Sequence, residues 1–258
     1  MSAKVKKLGE KTEVTVVSDG QKIPLVDANN IVTLMTPANL KSAFLGSMNL
    51  NMMEDGVFIM YHRSSDNYPL MVKPHKWPSL QTSGEIADGV AIAEGGHVVV
   101  VAPTEATSLK WSSAVVTGGG TNTTDRATAI ADWNGKASTA AQIAASTSNA
   151  VTNTASYAPG WCNLYSRGNK NGYGLTSGKW WLPSVGEIMM IYANMTKINY
   201  ALSLISGSTQ LQESWYWTST ENGSSYAWYL HLGGGYLLNW VGKATDSGHV
   251  RAVSAFIG

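Results

Sequence analysis

Cysteine is almost missing from this chain: Cys162 stands alone in 258 residues. That excludes an intrachain disulfide and every metal site built from several thiolates, and it leaves Cys162 to be read as a small buried apolar residue. Charge is scarce as well. Asp, Glu, Lys and Arg make up 14% of the chain, against roughly 25% in an average soluble domain. The net charge is +1, with no Lys/Arg cluster beyond the opening "KVKK", so there is no electrostatic footprint for nucleic acid or an anionic membrane. No run approaches the roughly 20 apolar residues that span a bilayer. "MSAKVKKLGEKTEVTVV" lacks the apolar core of a signal peptide, which leads to the expectation of synthesis and folding in a cytoplasm. Only three Phe are present, whereas Gly (26), Tyr (11) and Trp (10) are abundant. With 44% hydrophobic residues, the length suits one large globular domain, or one domain plus an appendage.

Residues 4 to 34 alternate short β-rich runs, "TEVTVV", "KIPLV" and "NIVTLM", with turn signals at "SDG" and "DANN". Thr36 before Pro37 then predicts a short helix that stops at Gly46. This places a boundary near residue 47 and an N-terminal module at 1–46, too small to be stable without a partner surface. It reads either as an attachment and oligomerisation module or as a strand and helix packed on the main domain, 47–258. From Gly56 onward "GVFIMYH", "YPLMV" and "GVAIAEGGHVVVVAP" predict strands, the "VVVV" run buried on both faces. His97 beside it reads as a satisfied edge residue. "TGGGTNTTDRAT" at 117–128 reads as a turn or loop, and "KASTAAQIAASTSNA" at 136–150 as a tightly packed helix. In "WWLPSVGEIMMIYANM", Ser184 and Glu187 form a capping box and Val185, Ile188, Met189 and Tyr192 recur at helical spacing. A second short helix follows, striped by Ile198, Ala201, Leu202 and Ile205.

The stretch "WYWTSTENGSSYAWYLHLGGGYLLNWVG", residues 215–242, holds four Trp and four Tyr but a single charged side chain, Glu221. Strand alternation divides it. Trp228, Leu230 and Leu232 share one face, read as core, while Ala227, Tyr229 and His231 share the other, read as open to solvent or a partner. After the "GGG" turn, Tyr236, Leu238 and Trp240 are assigned outward and Leu237, Asn239 and Val241 to the opposite side. An exposed surface of Tyr, Trp, Ser, Gly and Asn with little charge has the composition of an antibody paratope. Tyr226, Tyr229, His231, Tyr236 and Trp240 are therefore candidate ligand-binding residues, joined by Leu238 and by the polar Asn222, Ser225 and Asn239. The competing reading makes these rings core filling in a chain with three Phe; it is preferred for Trp215, Trp217 and Trp228. "WTSTE" reads as framework whose hydroxyls bond backbone, with Glu221 a satisfied structural acceptor or a rim contact.

"GKWWLPSVGEIMMIYANMTKINYAL", "YWTSTENGSSYAWYL" and "GHVRAVSAF", in that order, closely resemble the C-terminal C-type-lectin-fold domain of major paralogous surface proteins of gut and fibre-degrading bacteria. The same domain occurs in variable proteins of diversity-generating retroelements. The upstream "GVAIAEGGHVVVVAPTEATSLKWSS" and "DWNGKASTAAQI" resemble that family's first half, so the likeness covers roughly 52–258. It implies an α+β fold of the C-type lectin kind, with two helices, a sheet joining the termini and long loops on one face. It also implies a variable region at about 215–250, rewritten by adenine-directed copying to bind a changing target. Residues 1–46 resemble, more weakly, attachment segments of phage virion proteins.

Enzyme chemistry is not expected. The five His (62, 75, 97, 231, 249) are scattered, and no G-x-S-x-G, Walker loop or dinucleotide fingerprint is present. Formylglycine-generating oxidases use a related fold, but Cys162 in "GWCNLY" sits amid packed aromatic sequence. Calcium-dependent sugar binding would need an Glu-Pro-Asn or Gln-Pro-Asp triplet and a Trp-Asn-Asp triplet. Neither occurs; "DWNG" has Gly in place of the second acid, so no structural calcium and no cofactor are expected. The expectation is a phage tail-associated receptor-binding protein in the virion. It would recognise a host-surface protein or glycan, join other virion proteins through 1–46, and assemble as a homo-oligomer such as a trimer. The alternative is a decoration protein or a bacterial adhesin without a diversified role.

Overall fold

The computed structural model describes residues 23–26, 32–35, 54–145 and 152–256. The chain divides into two compact units, Met1–Met52 and Met53–Gly258. In the first, β1 (Ile23–Val26) and β2 (Val32–Met35) pair antiparallel, Ile23 opposite Met35 and Val26 opposite Val32. The strand expected in "TEVTVV" and the helix expected from Thr36 to Gly46 lie outside the described residues.

The second unit is a mixed α and β body built mainly of two five-stranded sheets. One contains β3 (Gly56–His62), β4 (Pro69–Val72), β5 (Ala87–Glu94), β6 (His97–Val101) and β14 (Val253–Ser254), in the order β14-β6-β5-β3-β4. Its central strands are apolar on both faces, as the "VVVV" run predicts; Val99, Val100 and Val101 are all buried. The other sheet contains β7 (Ala106–Leu109), β10 (Trp215–Asn222), β11 (Tyr226–His231), β12 (Leu237–Gly242) and β13 (Gly248–Val250), in the order β12-β11-β10-β13-β7. Here β10 and β13 run parallel and the other pairs antiparallel. A two-stranded ribbon of β8 (Arg167–Gly168) and β9 (Gly174–Leu175) completes the strands. Only Arg251 and Ala252 separate β13 in one sheet from β14 in the other.

Helix α5 (Val185–Ala193) packs on β10 and β11, and α6 (Met195–Ser203) on β3 and β5. The capping box forms at the start of α5, where the Ser184 backbone N–H donates to Glu187 Oε2 at 2.7 Å. Glu187 also accepts from Trp181 Nε1 at 3.1 Å, and burial pushes its carboxyl up to about 7. The expected stripe is buried, Ile198, Ala201 and Leu202 on α6 and Ile205 just past its end, in one cluster with Val185, Ile188, Trp228, Leu230 and Leu232. Each large apolar side chain in that cluster contributes about 1.5–3 kcal/mol by leaving water.

Three short helices were not anticipated: α1 (Trp77–Thr82), α2 (Arg126–Ile130) and α4 (Ala158–Leu164). All are too short to be stable alone and form by docking. α2 carried a local signal, since Asp125 caps it by accepting from the Thr128 N–H at 2.8 Å. The helix predicted at 136–150 appears as α3, Gly135–Ala144, with 146–150 outside the described residues. Cys162, on α4, is fully buried. Among the described residues no helix is long and apolar enough to cross a membrane.

Candidate functional site

The frame under the C-terminal strands is a buried polar network around Glu221. Its Oε2 accepts from Lys243 Nζ and from the Gly118 N–H, at 2.5 and 2.7 Å, and its Oε1 accepts from the Gly120 N–H at 3.0 Å. Lys243 Nζ also donates to the carbonyls of Val116 and Gly223, each at 2.9 Å, and lies 4.4 Å from the centre of the Trp111 ring. Every donor of the ammonium is used. Burial lowers the Lys243 pKa, and the Glu221 carboxylate opposes that shift. Glu221 is thus the structural acceptor, not a rim contact. The Gly-rich "TGGGTN" segment, read only as a loop, holds this carboxylate with its backbone. A Cβ at Gly118 would stand 2.6 Å from Gln142 Cγ, so the close approach needs glycine.

The two Thr hydroxyls of "WTSTE" act as the framework reading requires, whereas the Ser219 hydroxyl is buried without a partner among the described residues. Thr218 Oγ1 donates to the Trp228 carbonyl at 2.9 Å, and Thr220 Oγ1 donates to Asp132 Oδ2 at 2.7 Å while accepting from the Val185 N–H. These bonds fix β10 to β11 and to the start of α5. The pairing of β10 with β11 shifts between Trp217 and Glu221, and that of β11 with β12 shifts between Ala227 and Tyr229. Such irregularities bend strands and re-aim side chains.

The alternation read for β11 holds on its inner face, where Trp228, Leu230 and Leu232 are buried. Its outer face departs from expectation at two positions, Ala227, which is fully buried, and Tyr229. Tyr229 is only 6% exposed, because Trp215 stacks on it at 5.3 Å and Trp217 packs beside it at 4.4 Å. Its hydroxyl donates to the Ser247 carbonyl at 2.9 Å, and burial raises its pKa, so it stays a donor. Tyr229 is removed from the binding set: the large rings of β10 cover the face that strand alternation alone leaves open. Trp215, assigned to the core, is instead half-exposed, while Trp217 is fully buried.

Around the β11–β12 hairpin the outward assignment holds. Tyr236 and Trp240 are 67% and 64% exposed and Tyr226 is 44% exposed. They are three of seven large hydrophobic side chains that stand exposed among the described residues. The turn before Tyr236 is held by its own backbone and by Gly235 at φ 68, where a Cβ would meet the Tyr192 hydroxyl of α5 at 2.8 Å. His231 is half-buried and accepts from the Gly234 N–H at 3.1 Å. Its ring lies 6.3 Å from Tyr236 and 4.9 Å from Trp215. One continuous row of rings, Tyr236, His231, Trp215, Tyr229 and Trp217, therefore runs from exposed to buried.

Leu238 and Ser225 are half-buried. Asn222 and Asn239 are committed to the frame: Asn222 Nδ2 donates to the Asn239 carbonyl at 2.6 Å, and Asn239 Nδ2 donates to the Thr124 carbonyl at 3.4 Å. Sequence reasoning missed Trp215 and a cleft of about 270 Å³ beside it, lined also by Thr107, Ser108 and His249. His97 is exposed at the start of β6, a strand flanked by β14 and β5, and stacks on Trp133 at 3.8 Å. Among the described residues no group of three or more His, Cys, Asp or Glu is placed to hold a metal ion.

No family model and no curated protein matches this chain. A solved structure, a fimbrial protein from Bacteroides ovatus, is similar at 14% identity with a TM-score of 0.48. The match covers 79% of this chain and 49% of that protein, so the chain spans about half of its length.

Proposed function

We propose that this chain is a receptor-binding protein of the C-type lectin fold, a variable protein of a phage tail that grips a host-surface molecule with its C-terminal hairpin. The observation that carries the reading is the set of exposed rings, Tyr226, Tyr236 and Trp240, on two neighbouring strands and the turn between them, over a frame tied by the buried Lys243–Glu221 pair. Aromatic rings supply contact area at low entropic cost, and a rigid support removes the cost of ordering them on binding. The lectin-fold assignment is supported by β3 and β14, near opposite ends of the second unit, sharing one sheet, and by helices α5 and α6 packed in the core. A non-catalytic role is supported by Cys162, whose thiol is buried and pushed well above its ordinary pKa, away from the thiolate that nucleophilic chemistry needs.

In this reading residues 1–46 join the particle and sister copies, as in a trimer, and avidity multiplies weak single-site binding. The protein test is adhesion to host cells with Tyr226, Tyr236 and Trp240 changed together to Ala. Loss of adhesion in a folded variant supports the surface, and unaltered adhesion leaves the decoration reading. A reverse transcriptase gene near a second copy of the 215–250 coding region, differing mainly at adenines, would support diversification.

A further inference from the structure

Beside the exposed rings, the cleft at Trp215 has a construction of its own. Its outer wall is β7, the edge strand of its sheet, paired only with β13. That pairing joins Leu109 to Gly248 and Ala106 to Val250, so Thr107 and Ser108 together stand opposite the single residue His249. The bulge turns the edge outward, and Ser108 takes a left-handed backbone with φ 59, a conformation that a non-glycine residue adopts at a cost.

The floor is the parallel stack of Trp215 on Tyr229. Gly248 keeps that floor open, since a Cβ there would overlap the Tyr229 hydroxyl where the ring crosses β13. The inner wall is His249. Its Nδ1 lies 3.1 Å from Glu105 Oε1, and Glu105 is itself held by the Tyr216 hydroxyl at 2.7 Å and by Arg251 Nη2 at 2.8 Å. The imidazole is thereby fixed in orientation, with Nε2 making no hydrogen bond among the described residues.

The rim hydroxyls of Thr107, Ser108, Ser214 and Ser247 likewise make no hydrogen bond among the described residues. No Asp, Glu, Lys or Arg side chain lines the cleft. Its volume of about 270 Å³ falls just below the range of roughly 300–1,000 Å³ that takes drug-sized ligands. A flat indole under a ring of free, uncharged hydrogen-bonding groups suits a small ligand with one apolar face and several hydroxyls. A charged ligand would lose its hydration there with no counter-charge in return.

We infer that this cleft is a binding site for a neutral hexose, the terminal unit of a glycan, whose C–H face lies on Trp215 and whose hydroxyls meet the rim and His249 Nε2. The site stands on its own lining and does not depend on the hairpin surface acting as the receptor contact.

The test is titration of the ¹⁵N-labelled full chain with glucose, galactose and mannose separately, and with N-acetylneuraminic acid as the charged control, following the Trp215 indole N–H resonance. At least one neutral hexose should give a saturable shift with Kd in the millimolar range, and the charged sugar none. Thr107→Trp and, independently, Ser247→Trp fill the cleft from exposed positions and should each weaken binding at least about tenfold. Changing Tyr226, Tyr236 and Trp240 to Ala should leave the hexose shift intact, even where it abolishes cell adhesion. The inference is overturned if no neutral hexose gives a saturable shift up to about 0.1 M. Binding that survives both filled variants, or equal binding of the charged sugar, overturns it as well.

Discussion

Lys243 Nζ and Glu221 Oε2 lie 2.5 Å apart with neither side chain exposed. The pair ties β12's end to β10, and through Gly118 and Gly120 it brings the Gly-rich loop against both. Removing one partner strands the other charge in a dry site. Glu221→Gln should therefore cost about 3–5 kcal/mol of stability, read from the shift in denaturant midpoint. The double variant Glu221→Gln/Lys243→Met should lose less than the two single losses added together; strict additivity would mean that the pair is not coupled.

A second prediction concerns pH. Glu187 is raised to about 7 in the folded chain from 4.5 as its ordinary value, so the folded state holds this proton more tightly. Its contribution to stability is complete below about pH 4.5 and is lost as pH rises through about 7. Between these limits the loss amounts to as much as about 3 kcal/mol. Glu187→Gln should flatten the fall in unfolding free energy over that window, and equal slopes for the two proteins would refute the assignment.

Tyr229 and Gly248 form a steric pair. Gly248→Ala places a methyl group where the Tyr229 hydroxyl lies and should destabilise by about 1–3 kcal/mol. Tyr229→Phe, which deletes that hydroxyl and its bond to the Ser247 carbonyl, should cost about 1 kcal/mol alone yet recover part of the Gly248→Ala loss when combined. Thermal unfolding of the four proteins decides this.

Exposed and buried rings should separate cleanly by assay. Tyr236→Ala and Trp240→Ala remove side chains standing mostly in water and should change stability by less than about 0.5 kcal/mol. Under the proposed receptor-binding role, each is expected to weaken adhesion about tenfold or more. Tyr229→Ala should do the reverse, costing about 3–5 kcal/mol in stability as a core aromatic deletion.

Which parts were readable in advance follows from how local their causes are. The capping box of Ser184 and Glu187, the stripe on α6, and the inward set Trp228, Leu230 and Leu232 depend on spacing along one element, and all three are found. The burial of Tyr229 depends on Trp215 and Trp217 one strand away and on a register shift that strand alternation does not encode. The cleft joins residues 107–108 to 247–249 across an antiparallel pairing and sets them beside Trp215 across a parallel one, a juxtaposition with no local signature. The short helices α1 and α4 exist through docking, so their own sequences carry too little signal to announce them.

The crossing from β13 to β14 bears on how this unit becomes cohesive. Among the described residues β7 pairs with β13 alone and β13 pairs with β10, while β6 has β14 as its outer neighbour. Without residues 248–254, β7 has no partner strand and the outer side of β6 is unpaired. Closure of the whole body then falls to a ribbon of seven residues, which makes this segment the clasp of the fold.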